Sequence, residues 1–240
     1  TTAYPIAMQL GEASIDPKEK KLIAHLIYSF IARRAICNLT TKNLNNVFQN
    51  IALEFVRSPV SVSTLKKYFA DKSGTSTRFP SNEELMNGVL HSNAYAISPR
   101  TRLVDILWEL ECGSRSTLAE NVEQPPGLWI EHVLPQAWTD KWPFKDGSIQ
   151  ARDDDNSLVN ERRSLIHSLG NLTLLTGKLN ISADNNPFIE KREKFNEHTG
   201  LFLNKWFSKK DRWTEKEIIE RGQKLGEIAQ KVWIGMEDIA

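Results

Sequence analysis

Glu131 and His132 stand side by side in an otherwise apolar segment, residues 128–134 of the 240-residue chain. An imidazole has an ordinary pKa of about 6.5, so its neutral form can take a proton from water near neutral pH. A carboxylate oxygen is a ligand that hard divalent cations such as Mg²⁺ prefer. Either side chain is costly in an apolar environment unless it has a partner. The two residues therefore indicate either metal-assisted proton transfer or a buried structural pair, and their types alone leave both open.

The other histidines have less distinctive surroundings. His25 falls within an amphipathic helical pattern, and His91 and His198 follow helical segments, where a cationic side chain can cap the C-terminus of a helix. These positions favour structural or surface roles. His167 precedes a second apolar segment, and it is either a ligand or a structural residue.

Two short strands are predicted to position this pair. Apolar residues around it predict a short, largely buried strand (Trp129, Ile130, Val133 and Leu134). Residues 169–177 predict a second strand bounded by glycines. The polar stretch between the strands, which includes residues 153–155, is typical of a surface insertion. Helical patterns resume near residue 178, and a capping box at 214–217 predicts the start of the last helix.

The chain before about residue 120 has the pattern of a helical bundle. Asp16 followed by Pro17 predicts a helix over 17–36, because the first residue is a good cap and the second a good first helical residue. Further helices are expected near 62–70, behind the capping box of Ser81 and Glu84, and from about Pro99. A stiff polar linker at 122–127 follows. We therefore expect a helical domain at residues 1–121 and a second domain at 122–240.

Composition excludes several classes of protein. Cys37 and Cys112 are far apart and form no CxxC pair, which excludes a disulfide scaffold and a cysteine-based zinc site. The net charge of +1 lacks the basic excess of a typical nucleic-acid-binding domain. No apolar run reaches the roughly 18 residues of a membrane span, and no signal peptide opens the chain. We expect a cytoplasmic protein without a membrane partner, and Thr1 as the first residue is compatible with a fragment of a longer protein.

Three positions together carry a family resemblance. Residues 130–136, Ile-Glu-His-Val-Leu-Pro-Gln, resemble the acid-His-x-x-Pro signature of His-Me finger (HNH) nucleases. Asn171, which follows a glycine and precedes Leu-Thr-Leu-Leu, resembles their central Asn. Asn180, nine residues further on, resembles their third position.

A longer set of sequence segments resembles one group of such nucleases more closely. Residues 169–175, followed by Asn180 and by the segments 186–188 and 191–192, are similar to the C-terminal nuclease domain of GmrSD-type restriction proteins and related antiphage proteins. Upstream segments also resemble the helical region that precedes this domain (33–37, 41–45 and 79–84). The resemblance covers nearly the whole chain.

The resemblance implies an α+β, mainly α, protein, in which a helical bundle precedes a ββα-metal (His-Me finger) nuclease domain with additional C-terminal helices. It implies one divalent ion, held by Glu131 and Asn180, with His132 as the general base. Asn171 would orient His132 and tie the two strands together. Asn180 stands where many such nucleases have His, which favours Mg²⁺, with Mn²⁺ as the second choice, over zinc.

The resemblance also implies a substrate and partners. Lys178, Lys191 and Arg192 follow the second strand and are predicted to contact DNA phosphates, with a solvated helix face as the alternative. The expected activity is endonucleolytic hydrolysis of foreign or modified DNA, with an upstream sensor or NTPase-like domain in the same polypeptide. Two alternatives stay open: a catalytically inactive nucleic-acid-binding module of the same fold, and a hydrolase of another phosphate ester.

Overall fold

The computed structural model describes residues 3–116, 122–151, 154–179 and 186–239. Its secondary structure is mainly helical with a two-stranded antiparallel sheet, which confirms the predicted α+β, mainly α, class. The chain forms two compact units, the first comprising Thr1–Leu85 and Trp233–Ala240 and the second Met86–Val232. Among the residues described, none of the helices is both long and apolar enough to cross a lipid bilayer.

Helices supply the described part of the first unit. They are α1 (Tyr4–Glu12), α2 (Pro17–Ile36), α3 (Leu44–Arg57), α4 (Val62–Ala70) and the start of α5 (Asn82–His91). Helix α2 has the predicted bounds, and the carboxylate of Asp16 caps it by accepting the backbone N–H of Lys18 at 2.8 Å. The apolar faces of these helices share a core that includes Phe30, Phe48 and Phe69.

In the second unit, helices cover the sheet. After the remainder of α5 come α6 (Arg100–Gly113), β1 (Leu128–His132), α7 (Ser157–Leu165), β2 (Leu172–Thr176), α8 (Phe188–His198), α9 (Phe202–Lys205) and α10 (Glu215–Val232). Short 3₁₀ helices lie at Ala94–Ala96, Leu169–Asn171 and Trp206–Lys209. A two-stranded sheet is marginally stable by itself, so the core of this unit depends on side chains from the helices, such as Phe195 and Trp213.

The two strands pair with Glu131 opposite Thr173 and His132 opposite Leu172. Both strands were predicted in this order, but β2 begins at Leu172, because a 3₁₀ helix precedes it. That short helix packs against α10 so closely that a Cβ on Gly170 would lie 2.3 Å from the carbonyl oxygen of Ile218. The absence of a side chain at Gly170 therefore sets the position of β2 against α10.

Replacing Gly170 by alanine is expected to lower the free energy of unfolding by about 1–3 kcal/mol, because the added methyl forces two backbones apart. Gly200→Ala is the matched control, since a Cβ there has no neighbour within 4 Å. Urea denaturation of both variants measures the difference. Equal unfolding midpoints for the two variants would contradict the packing described here.

The compact units do not divide at the predicted boundary between residues 121 and 122. Helix α6, which the sequence places with the helical domain, belongs to the second unit. It packs against α10 through Gly113, where a Cβ would lie 2.5 Å from Val232 and 2.8 Å from Ile228. A polar linker shows where periodicity is interrupted, but it does not show which helices pack together. The functional division at 121–122 stays a prediction.

The polar stretch between the strands contributes more to the core than a surface insertion would. Trp138 is 6% exposed, and Trp142 and Phe144 are each 2% exposed. Helix α7, which was not predicted, is mostly polar. Its fully buried Arg162 is paired with Glu215 and donates to the carbonyl oxygen of Trp142 at 2.7 Å. A buried ion pair of this kind has no signature in hydrophobic periodicity.

Candidate active site

Asn171 connects the two strands of the hairpin through its side chain. Its Oδ1 accepts the backbone N–H of Leu134 at 2.8 Å and the indole N–H of Trp213 at 3.0 Å. Its Nδ2 donates to the carbonyl oxygens of Leu134 and Ile166, both at 2.9 Å. The side chain is fully buried and contacts the backbone beyond β1 rather than the imidazole of His132. Asn171 thus positions His132 only indirectly.

His132 lies at the end of β1 and is 7% exposed. Its Nε2 is 3.0 Å from Nδ1 of His167, which stands just before the 3₁₀ helix that leads into β2. Its Nδ1 is 3.4 Å from Nε2 of Gln136, an exposed residue. The imidazole of His132 is therefore held between a second imidazole and an amide at the protein surface.

Tyr95 and Arg100 cover this pair of imidazoles. The ring centroid of Tyr95 lies 4.6 Å from that of His132 and 5.2 Å from that of His167. The guanidinium of Arg100, an exposed residue, lies 3.7 Å above the centre of the Tyr95 ring. A cation over an aromatic face is attracted by the electrons of the ring. The stack therefore places a solvent-accessible positive charge next to the histidines.

Burial and charge keep both imidazoles neutral. The pKa of His132 is lowered to about 3, chiefly by burial, then by the electrostatic effect that a protonated His167 would exert, and then by Lys191 and Arg100. The pKa of His167 is also lowered, first by burial and then by Arg100. Two neutral imidazoles can share one hydrogen between them without charge repulsion. The positive groups that disfavour protonation also favour a bound phosphate.

The structure corrects the predicted surface position of Lys191. Its side chain is fully buried, with Nζ 2.5 Å from Oε1 of Glu131 and 2.9 Å from the carbonyl oxygen of His132. A buried ammonium requires such partners, because desolvating an unpaired charge is costly. Lys191 in α8 therefore neutralises Glu131 and anchors the end of β1, and it does not face solvent as a phosphate contact would.

The other predicted contact residues have different surroundings. Arg192 donates to the carbonyl oxygen of Lys210 at 2.8 Å and to the carboxylate of Asp211 at 3.0 Å, and its side chain is 20% exposed. Lys178 is exposed at the end of β2, near the hairpin end where Trp129 is 60% exposed. Of the predicted cations, Lys178 is thus the best placed to meet a ligand from solvent.

The donors near His132 suit a hard cation. Glu131 supplies carboxylate oxygens, which Mg²⁺ prefers, and a carboxylate has about four acceptor positions, so its pair with Lys191 is compatible with a metal contact. Asn180, the second predicted ligand, lies outside the described residues. In the described ranges, no group of three or more His, Cys, Asp or Glu side chains could hold a metal ion. A sparse set of oxygen donors fits an ion that keeps several of its waters.

Sequence reasoning did not connect three residues of this cluster with His132. Tyr95 and Arg100 lie in the region assigned to the helical domain, and His167 had two open interpretations. The contact between these regions includes a hydrogen bond from the backbone N–H of Ala94 to the carbonyl oxygen of His167, at 2.9 Å. Such a contact depends on tertiary packing and leaves no local signal in the sequence.

Comparison with known proteins identifies the family. None of the curated proteins matches the chain. A family model described as the C-terminal domain of GmrSD restriction endonucleases matches residues 79–228. The match spans more than half of the chain and includes both strands and the cluster of Tyr95, Arg100, His132 and His167, which confirms the resemblance found in the sequence. The chain therefore belongs to the family of GmrSD restriction endonuclease C-terminal domains.

Proposed function

We propose that the chain is a divalent-metal-dependent endonuclease domain that hydrolyses DNA phosphodiesters, with His132 as its general base. The observation that carries the proposal is the imidazole of His132 at the end of β1, hydrogen-bonded to His167, on a hairpin that Asn171 holds together. Membership of a restriction endonuclease family supports DNA as the substrate. A His-Me finger arrangement of the metal site is part of the proposal.

The groups at the surface of the cluster suit a phosphodiester. Arg100, exposed above Tyr95, is the cation of the cluster that would hold phosphate oxygens. Lys178 follows the other end of the hairpin and would contact a phosphate further along the DNA. The neutral imidazole of His132 can then take the proton of a water that attacks phosphorus. Lys191 is too deeply buried to contact the substrate directly, and its role is to hold Glu131.

Glu131 and Asn180 would hold the metal ion. The ion would neutralise the negative charge that develops on the phosphate and on the leaving oxygen. We expect Mg²⁺, with Mn²⁺ able to replace it, because both ligands donate through oxygen. Lys191 pairs with one oxygen of the Glu131 carboxylate, and the remaining acceptor positions would be available to the metal.

Removing divalent metal is expected to abolish cleavage. A supercoiled plasmid should be nicked in the presence of Mg²⁺ or Mn²⁺, should remain intact in excess EDTA, and should be nicked again after the metal is restored. The thermal midpoint of the protein should also rise with added Mg²⁺ or Mn²⁺, because a ligand that binds the folded state stabilises it. Cleavage at full rate in EDTA would refute the metal-dependent mechanism.

Trp129 is expected to stack on a base of the bound DNA. Its indole is 60% exposed, and it lies in β1 two residues before Glu131, on the same face of the strand. Trp129→Ala should weaken DNA binding by about 1–3 kcal/mol, and Trp129→Phe should weaken it less, because a phenyl ring still stacks. Fluorescence anisotropy with a labelled oligonucleotide measures both. Unchanged affinity in the alanine variant would exclude this contact.

The biological part of the proposal follows from the family. Restriction endonucleases act against foreign DNA, so we propose a role in defence against phage or modified DNA, in the cytoplasm, with an upstream sensor domain as partner. The second candidate function is a DNA-binding module without catalysis. The pair of Lys191 with Glu131 favours it, because that pair gives the carboxylate a structural partner. DNA binding without nicking under any metal would select this second function.

A further inference from the structure

The neighbours of His132 favour one of its two neutral tautomers when the amide nitrogen of Gln136 is the atom that faces the ring. A neutral imidazole carries one N–H, and its other nitrogen is an acceptor. The neighbour of Nδ1, at 3.4 Å, is the amide nitrogen of Gln136, which is a donor. Nδ1 of His132 is therefore the acceptor, and Nε2 carries the hydrogen and donates it to Nδ1 of His167 at 3.0 Å. The opposite tautomer would require the amide of Gln136 to turn so that its oxygen, not its nitrogen, faces Nδ1.

His167 is fixed in the position that this bond requires. Its carbonyl oxygen accepts the backbone N–H of Ala94 at 2.9 Å, which connects it to the 3₁₀ helix that carries Tyr95. Its ring is in contact with that of Tyr95, with centroids 5.2 Å apart, and the next residue, Ser168, is fully buried. The acceptor nitrogen is thus held by backbone and by ring packing, independently of His132.

We propose that His167 is a positioning residue that holds His132 in the Nε2–H tautomer and leaves Nδ1 as the nitrogen that receives a proton from water. The inference rests on the proposed function and names a further residue of that site. The attacking water takes the place of the exposed Gln136 amide at Nδ1, because this nitrogen has one lone pair. As the water O–H bond breaks, its proton moves to Nδ1 and its oxygen forms the bond to phosphorus. The leaving oxygen departs with the electron pair of its bond to phosphorus and takes a proton from solvent. The imidazolium that results donates from Nε2 to His167, which stabilises it.

This role is comparable to that of the aspartate in a Ser-His-Asp triad, which holds the tautomer and orientation of the catalytic histidine. His167 differs in being a neutral acceptor. The ring of Tyr95 lies between His167 and the guanidinium of Arg100. A carboxylate in place of His167 would attract that guanidinium and weaken its interaction with phosphate. A neutral acceptor keeps the cluster positive, as an anionic substrate requires.

Two isosteric variants test the proposal. In His167→Asn, the amide oxygen occupies the position of the Nδ1 acceptor. In His167→Gln, the amide lies near the position of Nε2 instead. His167→Ala has no acceptor in its side chain. We expect kcat to fall about 10–100-fold in the Gln and Ala variants, to recover largely in the Asn variant, and KM for DNA to change little. His91→Ala, at an exposed position, is the control.

The tautomer itself is read from ¹⁵N NMR of ring-labelled histidine, with His132→Ala used to assign the signals. Nε2 of His132 should have a protonated, pyrrole-type shift in the wild type and in His167→Asn, and a mixture of tautomers should appear in His167→Ala. An unprotonated Nε2 in the wild type, or equal kcat in the Asn and Gln variants, would overturn the proposal. The expected tautomer in a protein that cuts no DNA would support the bond from His132 to His167 and refute only the proposed function.

Discussion

Replacing His132 by alanine is expected to lower the rate of DNA cleavage by about 10²–10⁴-fold, the usual contribution of a positioned general base. The reason is that the side chain is the proposed proton acceptor, whereas the proposed contacts to DNA are made by exposed groups such as Arg100. Single-turnover nicking of a plasmid in Mg²⁺ measures the rate. Binding of the uncut plasmid should change little.

A matched variant separates this effect from a general loss of a histidine. His198 is exposed at the end of α8, so His198→Ala should cleave at the wild-type rate. Circular dichroism and urea denaturation of both variants check that folding is retained. If the His132 and His198 variants lost activity equally, the assignment of His132 as the base would be wrong.

The largest effect on stability is expected for Asn171→Ala. The change leaves the N–H and carbonyl of Leu134, the carbonyl of Ile166 and the indole N–H of Trp213 without their partner inside the protein. Each buried polar group that loses its hydrogen bond costs about 1–3 kcal/mol. We expect the free energy of unfolding to fall by at least about 3 kcal/mol, and the hairpin to open before the rest of the second unit.

Asn171→Asp and Asn196→Ala make this test specific. Aspartate keeps the acceptor for Leu134 and Trp213 but places a carboxylate against two carbonyl oxygens, so it should also destabilise. Asn196 is exposed on α8, and its replacement by alanine should leave stability nearly unchanged. Urea midpoints measure all three. Hydrogen exchange at Leu134 should be faster in both Asn171 variants, and wild-type protection there would contradict the role of Asn171.

Local signals in the sequence predicted much of the fold. The bounds of the helix at Pro17–Ile36 and the start of α5 are set by neighbouring residues, such as the reciprocal bonds between Ser81 and Glu84 at 3.1 Å. A run of apolar residues was enough to predict the first strand, and an apolar run bounded by glycines predicted the second. By contrast, α7 was missed because a charged residue, Arg162, stands between Val159 and Leu165 on its buried face. Trp129 is exposed although its apolar neighbours predicted burial.

The candidate site was predictable only where it is continuous in sequence. A short motif contains Glu131 and His132, and the spacing to Asn171 completes the hairpin. Tyr95 and His167 enter the site through tertiary packing, which no local pattern records. In the sequence, Lys191 is a basic residue on a mostly polar helix, which does not indicate burial. The structure shows that its side chain is buried against Glu131.

Chemical rescue of His132→Ala tests the central claim most directly. Imidazole added to the solution can enter the space left by the missing ring and replace the lost base. We predict that imidazole in the presence of Mg²⁺ restores part of the nicking activity to His132→Ala, and that it has no such effect on the wild type or on a sample in EDTA. Wild-type cleavage by His132→Ala without imidazole would contradict the account.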